Sequence, residues 1–318
     1  MTARGVGGSI CRARRLSPPR GLWPLSVDAP GVPLRFTPGF TLSPAPQAGL
    51  FKRMPQLTLA DVDLHYEVHG NGEPLVLIPG FAAGAWIWSK HVAPLSTKFR
   101  VVTFDPRGIG QSSFESEQLT MRLLADDTAA LLRRLGIEQA HILGVSFGGF
   151  VAQEFALAYP EMTRTLSLCC TSFGGPNHVA PSMDILTAVL STNGFNTQER
   201  IRRNLLPAFS PEFARIHADE VEEVINLRLA NPVVEEAYRA QLKAGVGFDA
   251  ESRVGGIQAP TLVLSGDADA IVPVQNSHNL ARRIPGARLR LIEGGSHLFF
   301  IEQPDEFNRI VAEFLGQN

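Results

Sequence analysis

A chain of 318 residues with 44% hydrophobic side chains can fill one large or two smaller domains with a sizeable core. Its net charge of −2 is unevenly spread: residues 1–53 carry eight basic groups against Asp28, leaving the rest with 21 basic and 30 acidic residues, a net −9. A body this acidic excludes nucleic acid and an anionic membrane as main partners, and no apolar run approaches the roughly 18 residues of a membrane span. Cys11 and the adjacent Cys169 and Cys170 cannot form a disulfide framework, which fits a reducing, cytoplasmic setting.

Residues 1–53 are rich in Pro, Gly and Arg and show no sustained period, so a disordered extension is expected there. Three readings stay open: a dispensable tail or a start upstream of Met54, an organelle transit segment suggested by its basic character, or an ordered extension packed on the body. No compact apolar segment follows the arginines, so no secretory signal is read.

From Gln56 the texture changes. Leu57–Leu59 and Asp63–Val68 alternate like antiparallel strands, with Gly70-Asn71-Gly72 closing the second. Pro74–Ile78, Arg100–Phe104, Ala140–Val145, Thr165–Cys170, Thr261–Ser265 and Arg288–Ile292 read as continuous apolar strands, the pattern of a sheet covered on both faces. Between them lie helices, most clearly Met121–Leu135, where Leu124, Thr128, Leu131, Leu132 and Leu135 share a stripe, Thr120 can cap the start and Gly136 the end. Strands alternating with helices imply right-handed parallel crossovers and a three-layer α/β domain.

The rhythm breaks between Gly175 and Gly256. Only polar and helical segments occur there: Gln198–Leu206, Pro211–Leu229 and Pro232–Leu242. About 80 residues are too many for a loop, so 176–255 is expected to form a helical cap, with 54–175 and 256–318 as the core. Its place is above the carboxyl ends of the strands, where open α/β sheets bind ligands.

The candidate chemistry starts at Gly144-Val145-Ser146-Phe147-Gly148, set between a strand and a helix. This spacing suits a sharp turn that presents a strained, exposed nucleophile. Such a serine needs a base, and the base needs an orienting acid. Asp267 and Asp269 follow one strand's C-terminal end, and His297 follows the next within Glu293-Gly294-Gly295-Ser296-His297. All three groups therefore emerge at the same edge of the sheet. His65, His69, His91, His141, His178, His217 and His278 show no metal-ligand spacing, and structural or solvated roles are expected for them.

These elements, together with Pro79-Gly80-Phe81 and Asp105-Pro106-Arg107-Gly108-Ile109-Gly110-Gln111-Ser112, resemble the α/β-hydrolase superfamily in its cofactor-free serine-hydrolase branch, over about Leu57 to Leu315. The resemblance implies an α/β-hydrolase fold, an eight-stranded, mostly parallel sheet with a helical cap insertion. It also implies Ser146 as nucleophile, His297 as base, Asp269 as acid with Asp267 left as a turn or capping residue, and the backbone N–H groups of Phe81 and Phe147 as oxyanion hole. Many relatives have His-Gly where this chain has Pro79-Gly80; since the donor is backbone, the hole stays usable while the bracing of its loop changes. Asp105 is read as structural, with Arg107 either neutralising it or tying neighbouring loops together. Trp86 and Trp88 are read as core before pocket lining.

The function so implied is hydrolysis of an ester-type or lactone bond in a small to medium, largely apolar substrate, without cofactor or metal. Phe195, Phe209, Phe213 and Tyr238 are candidates to wall the pocket. A serine at the nucleophile position argues against dehalogenase or epoxide-hydrolase chemistry. Carbon–carbon bond hydrolysis, a cofactor-free perhydrolase reaction, or a ligand-binding protein with little turnover remain alternatives. The oligomeric state is not legible.

Overall fold

Eight strands form one sheet: β1 (Gln56–Thr58), β2 (Asp63–His69), β3 (Glu73–Ile78), β4 (Phe99–Phe104), β5 (Ala140–Val145), β6 (Thr163–Cys169), β7 (Thr261–Gly266) and β8 (Arg288–Ile292). The computed structural model describes residues 56–59, 61–114, 118–190 and 197–318. The expected extension over 1–53 lies outside them. The strand order is β1-β2-β4-β3-β5-β6-β7-β8, antiparallel at β1–β2 and β2–β4 and parallel elsewhere. Parallel neighbours need crossovers rather than hairpins. Helices supply them: α1 (Val92–Leu95), α2 (Met121–Arg134), α3 (Phe147–Ala158), the inserted α4 (Met183–Leu190), α5 (Thr197–Leu205), α6 (Pro211–Ile216), α7 (Ala218–Ala230) and α8 (Glu235–Val246), and α9 (Gln275–Arg283), while α10 (Phe299–Glu302) and α11 (Pro304–Leu315) follow the last strand.

The two-residue period of a strand sorts its side chains into two cores. Val76 and Ile78 of β3 and Ile142 of β5 join one, with Leu124 and Leu131 of α2 and Phe155 of α3. Leu75 and Leu77, with Leu143 and Val145, join the other, with Trp88, Phe299, Phe307 and Val311. A sheet buried on both faces is the middle of three layers. Helix α2 starts where expected, the Thr120 hydroxyl accepting from the Leu123 amide at 3.0 Å. It stops at Gly136, whose φ of +67° is the left-handed conformation of a C-terminal cap.

Two expectations need correction. Arg288–Ile292 is not a buried apolar strand: it is the sheet's edge, and only Ile292 of it is buried. The arginines between its apolar residues suit an edge, where solvent takes one face and charge discourages pairing with another chain. Pro211–Leu229 is not one helix; His217, at φ −113° and ψ 45°, separates α6 from α7.

The chain leaves the sheet after β6, runs through α4 to α8, and re-enters it at β7, directly beside β6. The insertion adds no strand among the described residues, only isolated bridges at Ile109–Val233 and Gly174–Asp249. Among the described residues no helix is long and apolar enough to cross a membrane.

Candidate active site

Why glycines flank Ser146 follows from the packing of the turn. A Cβ on residue 144 would lie 2.2 Å from the Gly148 carbonyl oxygen, and one on residue 148 would lie 2.3 Å from that of Ile78. Neither space admits a side chain. Ser146 itself takes φ 53° and ψ −119°, a conformation that costs a residue with a side chain on the order of 1–3 kcal/mol and persists only where the surroundings enforce it. They do so here: the Ser146 amide donates to Cys169 O at 2.8 Å, and Ser146 O accepts from Gly149 N at 2.9 Å and from Thr171 Oγ1 at 2.8 Å.

His297 closes a line of three. Its Nδ1 lies 2.9 Å from Asp269 Oδ2, and its Nε2 lies 3.0 Å from Ser146 Oγ. A carboxylate only accepts, so Nδ1–H donates to Asp269, which leaves Nε2 of the neutral ring to accept from the serine hydroxyl. The second Asp269 oxygen accepts from the amides of Ile271 and Val272 at 2.9 and 2.8 Å, fixing the carboxylate in a buried position. Asp267 is elsewhere: its Oδ1 accepts from Gly294 N at 2.8 Å and braces the two loops against each other.

Phe147 is the first residue of α3, so its N–H stands outside the helical ladder at the positive end of the helix dipole. The loop from Pro79 to Ala82 runs beside the serine: a Cβ on Gly80 would sit 3.5 Å from Ser146 Cβ, and the Phe81 and Phe147 rings lie 6.1 Å apart. Asp105 holds the far side of this loop through Ala85 N at 2.8 Å and also accepts from Gln111 N at 3.0 Å. Burial pushes the Asp105 carboxyl up, but His65 at 3.2 Å and these two amides outweigh it and keep it below its ordinary value. His65, not Arg107, therefore faces Asp105. Arg107 is buried and ties loops together instead, pairing with Asp127 of α2 at 2.6 Å and Asp61 at 2.9 Å.

A cavity of about 350 Å³ opens above Ser146 and His297, lined by Phe81, Trp86, Ile87, Leu229, Tyr238 and Phe300 among others. Of the aromatic candidates Tyr238 reaches it, whereas Phe209 and Phe213, whose rings stack 5.8 Å apart, do not line it, and Phe195 lies outside the described residues. Trp86 lines the cavity and Trp88 is core.

The insertion also touches the loops that carry Phe81 and His297, in ways the sequence did not announce. Buried Gln241 of α8 accepts from the Ala82 amide at 2.9 Å, through Oε1. The Ala208 carbonyl accepts from Ser296 Oγ at 2.8 Å and from Leu298 N at 2.9 Å, on both sides of His297. A lone buried glutamine in an amphipathic helix was the only trace of the first contact; a backbone acceptor leaves none.

Cys169 and Cys170 are free and buried, and burial pushes both thiols well above their ordinary value, away from the thiolate form. His91 is buried and held neutral. Among the described residues no cluster of three His, Cys, Asp or Glu is arranged to hold a metal ion.

Comparison with known proteins supplies the family context. The family model described as alpha/beta hydrolase fold matches residues 73–304. RutD of Azorhizobium caulinodans, a protein named as a carbamate hydrolase, is 29% identical over 83% of this chain and 99% of its own length. The poly(3-hydroxyalkanoate) depolymerase of Ectopseudomonas oleovorans is 32% identical over 77% of this chain and 84% of its own. Among solved structures, the enol-lactonase of Burkholderia xenovorans LB400 superposes with a TM-score of 0.73 at 26% identity, over 82% of this chain and all of that one.

Proposed function

Since the chain belongs to the alpha/beta hydrolase fold family, we propose that this hydrolase is a serine enzyme that cleaves an ester-type or lactone bond through an acyl-enzyme. The observation that carries the reading is the continuous Asp269–His297–Ser146 relay, at 2.9 and 3.0 Å, on the floor of the cavity.

In this scheme Ser146 Oγ attacks the carbonyl carbon while its proton passes to His297 Nε2. Asp269 keeps the ring in the productive tautomer and offsets the charge it gains. The amides of Phe81 and Phe147 receive the oxyanion of the tetrahedral intermediate. The protonated His297 then gives its proton to the leaving oxygen as that bond breaks. Water, deprotonated by His297, attacks the acyl carbon, and collapse of the second intermediate returns the proton to Ser146 Oγ and releases the acid. All proton traffic runs through one imidazole, so the cycle uses no cofactor or metal.

Residues 176–255 act as a cap over a core made of 54–175 and 256–318, and set which substrate fits. A cavity of this size, mainly apolar, suits a small to medium acyl compound. Two relatives, the enol-lactonase and the poly(3-hydroxyalkanoate) depolymerase, carry names that refer to ester-type bonds.

A fluorophosphonate probe should label the wild-type protein on Ser146 and leave Ser146→Ala unlabelled, and Ser146→Ala should lose hydrolysis of an activated short-chain ester. Undiminished hydrolysis by that variant would sink the proposal.

A further inference from the structure

The cavity has two kinds of wall. Ser146 and His297 line it from the core, and from the insertion two guanidinium groups line it, Arg200 of α5 and Arg228 of α7, beside Asn204 and Tyr238. Arg200 lies 5.9 Å over the Tyr238 ring, and Asn204 Nδ2 donates to Tyr238 Oη at 3.4 Å. One carboxylate, Glu235, lines the same space and is already engaged: it accepts from Arg239 Nε at 3.0 Å and meets Arg200 at 3.5 Å.

Arg228 stands apart from this compensation. It forms no ion pair among the described residues, and its one hydrogen bond runs from Nη1 to Asn231 O at 2.8 Å, at the end of its own helix. Nε and Nη2, two donors of a rigid planar fork, have no partner there. Burial, together with the neighbouring charge of Arg200, pulls the Arg228 pKa below its ordinary value, against a smaller opposing effect of Tyr238. A structural arginine in this setting would be expected beside an acid, because a half-buried cation without one is costly. Closing α7 accounts for one nitrogen only.

The geometry points to a carboxylate-binding subsite on this wall of the cavity, with Arg228 as its principal donor and Arg200 beside it. The substrate class is then an acyl compound with the scissile ester or lactone at Ser146, an apolar middle, and a free carboxylate at the far end. The lining charges favour an anion: Arg200 and Arg228 face a single carboxylate, Glu235, which leaves one positive charge in excess. A guanidinium fork matches the two oxygens of a carboxylate. This rests on the serine-hydrolase reading above and narrows its substrate from a largely apolar compound to an apolar acid.

The test uses mono-4-nitrophenyl esters of straight-chain diacids from adipate to suberate, each beside the analogue whose free acid is capped as a methyl ester. At the best chain length the wild-type protein should prefer the acid by about tenfold or more in kcat/KM, chiefly through KM, as expected for a charge-assisted hydrogen bond. High salt should erode that ratio. Arg228→Met should bring it to about one, and Arg228→Lys, which keeps the charge and guards against a folding artefact, should retain part of it. A wild-type ratio at or below one, or a ratio that survives Arg228→Met, overturns the subsite while Ser146-dependent hydrolysis of the neutral esters leaves the hydrolase reading standing. If no ester is hydrolysed and Ser146 takes no probe, the hydrolase reading fails. Calorimetry with hexanoate against hexanamide then decides the subsite: tighter binding of hexanoate that Arg228→Met removes supports it, and equal or absent binding rejects it.

Discussion

The loops at the sheet's edge and the helices of the insertion both face the cavity, yet they are specified differently. At Ser146 the backbone is gripped by three hydrogen bonds and by two glycines whose neighbours leave no room for a methyl group. Asp269 and His297 sit on loops that end adjacent parallel strands, so the register of β7 and β8 sets their separation. The insertion contributes mostly longer side chains, Arg200, Arg228, Tyr238 and Gln241, from helices joined by short breaks. The three converging side chains are thus placed by backbone sterics, whereas the insertion's share of the cavity wall is placed by long side chains reaching in from its helices. Substitutions in the two regions should therefore fail in different ways.

The largest expected loss lies in the loops. Asp269→Asn leaves the packing nearly isosteric but favours the wrong tautomer of His297, so kcat should drop on the order of 10⁴-fold for every substrate while KM changes little. A selective loss, severe for one ester and slight for another, would break the distinction. Arg107→Met comes next and concerns the fold: it leaves Asp127 buried beneath the loops without its partner, and urea denaturation should register a loss of about 3–5 kcal/mol. A midpoint equal to wild type would show that the buried pair is replaceable.

His91 offers a pH-dependent version of the same contrast. It packs against Trp88 and Phe307, and burial lowers its pKa from 6.5 to about 4, an effect that Lys90 reinforces and the Asn308 hydrogen bond opposes. Because the folded value lies below the unfolded one, the unfolded chain takes up the proton first. The stabilisation is present above pH 6.5 and is lost as pH falls toward 4, by up to about 3 kcal/mol. His91→Gln should flatten that part of the stability curve in denaturant titrations run at successive pH values; an unchanged slope would place the titration elsewhere.

The smallest effect sharpens the comparison where the regions meet. Gln241→Ala strands the buried Ala82 amide, and kcat should fall about tenfold as the loop bearing Phe81 loosens. A boronic acid that mimics the tetrahedral intermediate should weaken by a similar factor with KM little changed. Equal weakening of substrate and mimic would mean that the glutamine merely shapes the pocket.

What could be read from the chain follows the same division. The convergence of Ser146, Asp269 and His297 was legible because each sits within a few residues of the glycines and strand ends that position it, and the strands were legible because their alternating or apolar runs are short and sharply bounded. Leu289 and Leu291 made β8 look buried; an edge position depends on what does not pair beside it, which no local pattern records. Arg107 was read either as neutralising Asp105 or as tying loops together; it joins α2 and the turn between β1 and β2, and its acids lie 20 and 46 residues away, beyond any local signal. Gln241 and Arg228 were missed for the same reason, since Gln241 meets Ala82 and Arg228 joins the cavity wall only once α5, α7 and α8 have packed.

The Ala208 carbonyl, which receives Ser296 on one side of His297 and Leu298 on the other, ties the insertion to the loop that carries the imidazole. Together with the Gln241 stitch to Ala82 it fastens the helices at two points on the rim. Lifting them as one rigid flap would tear both fastenings and misplace the imidazole. Any rearrangement of the insertion is thereby coupled to the position of the imidazole.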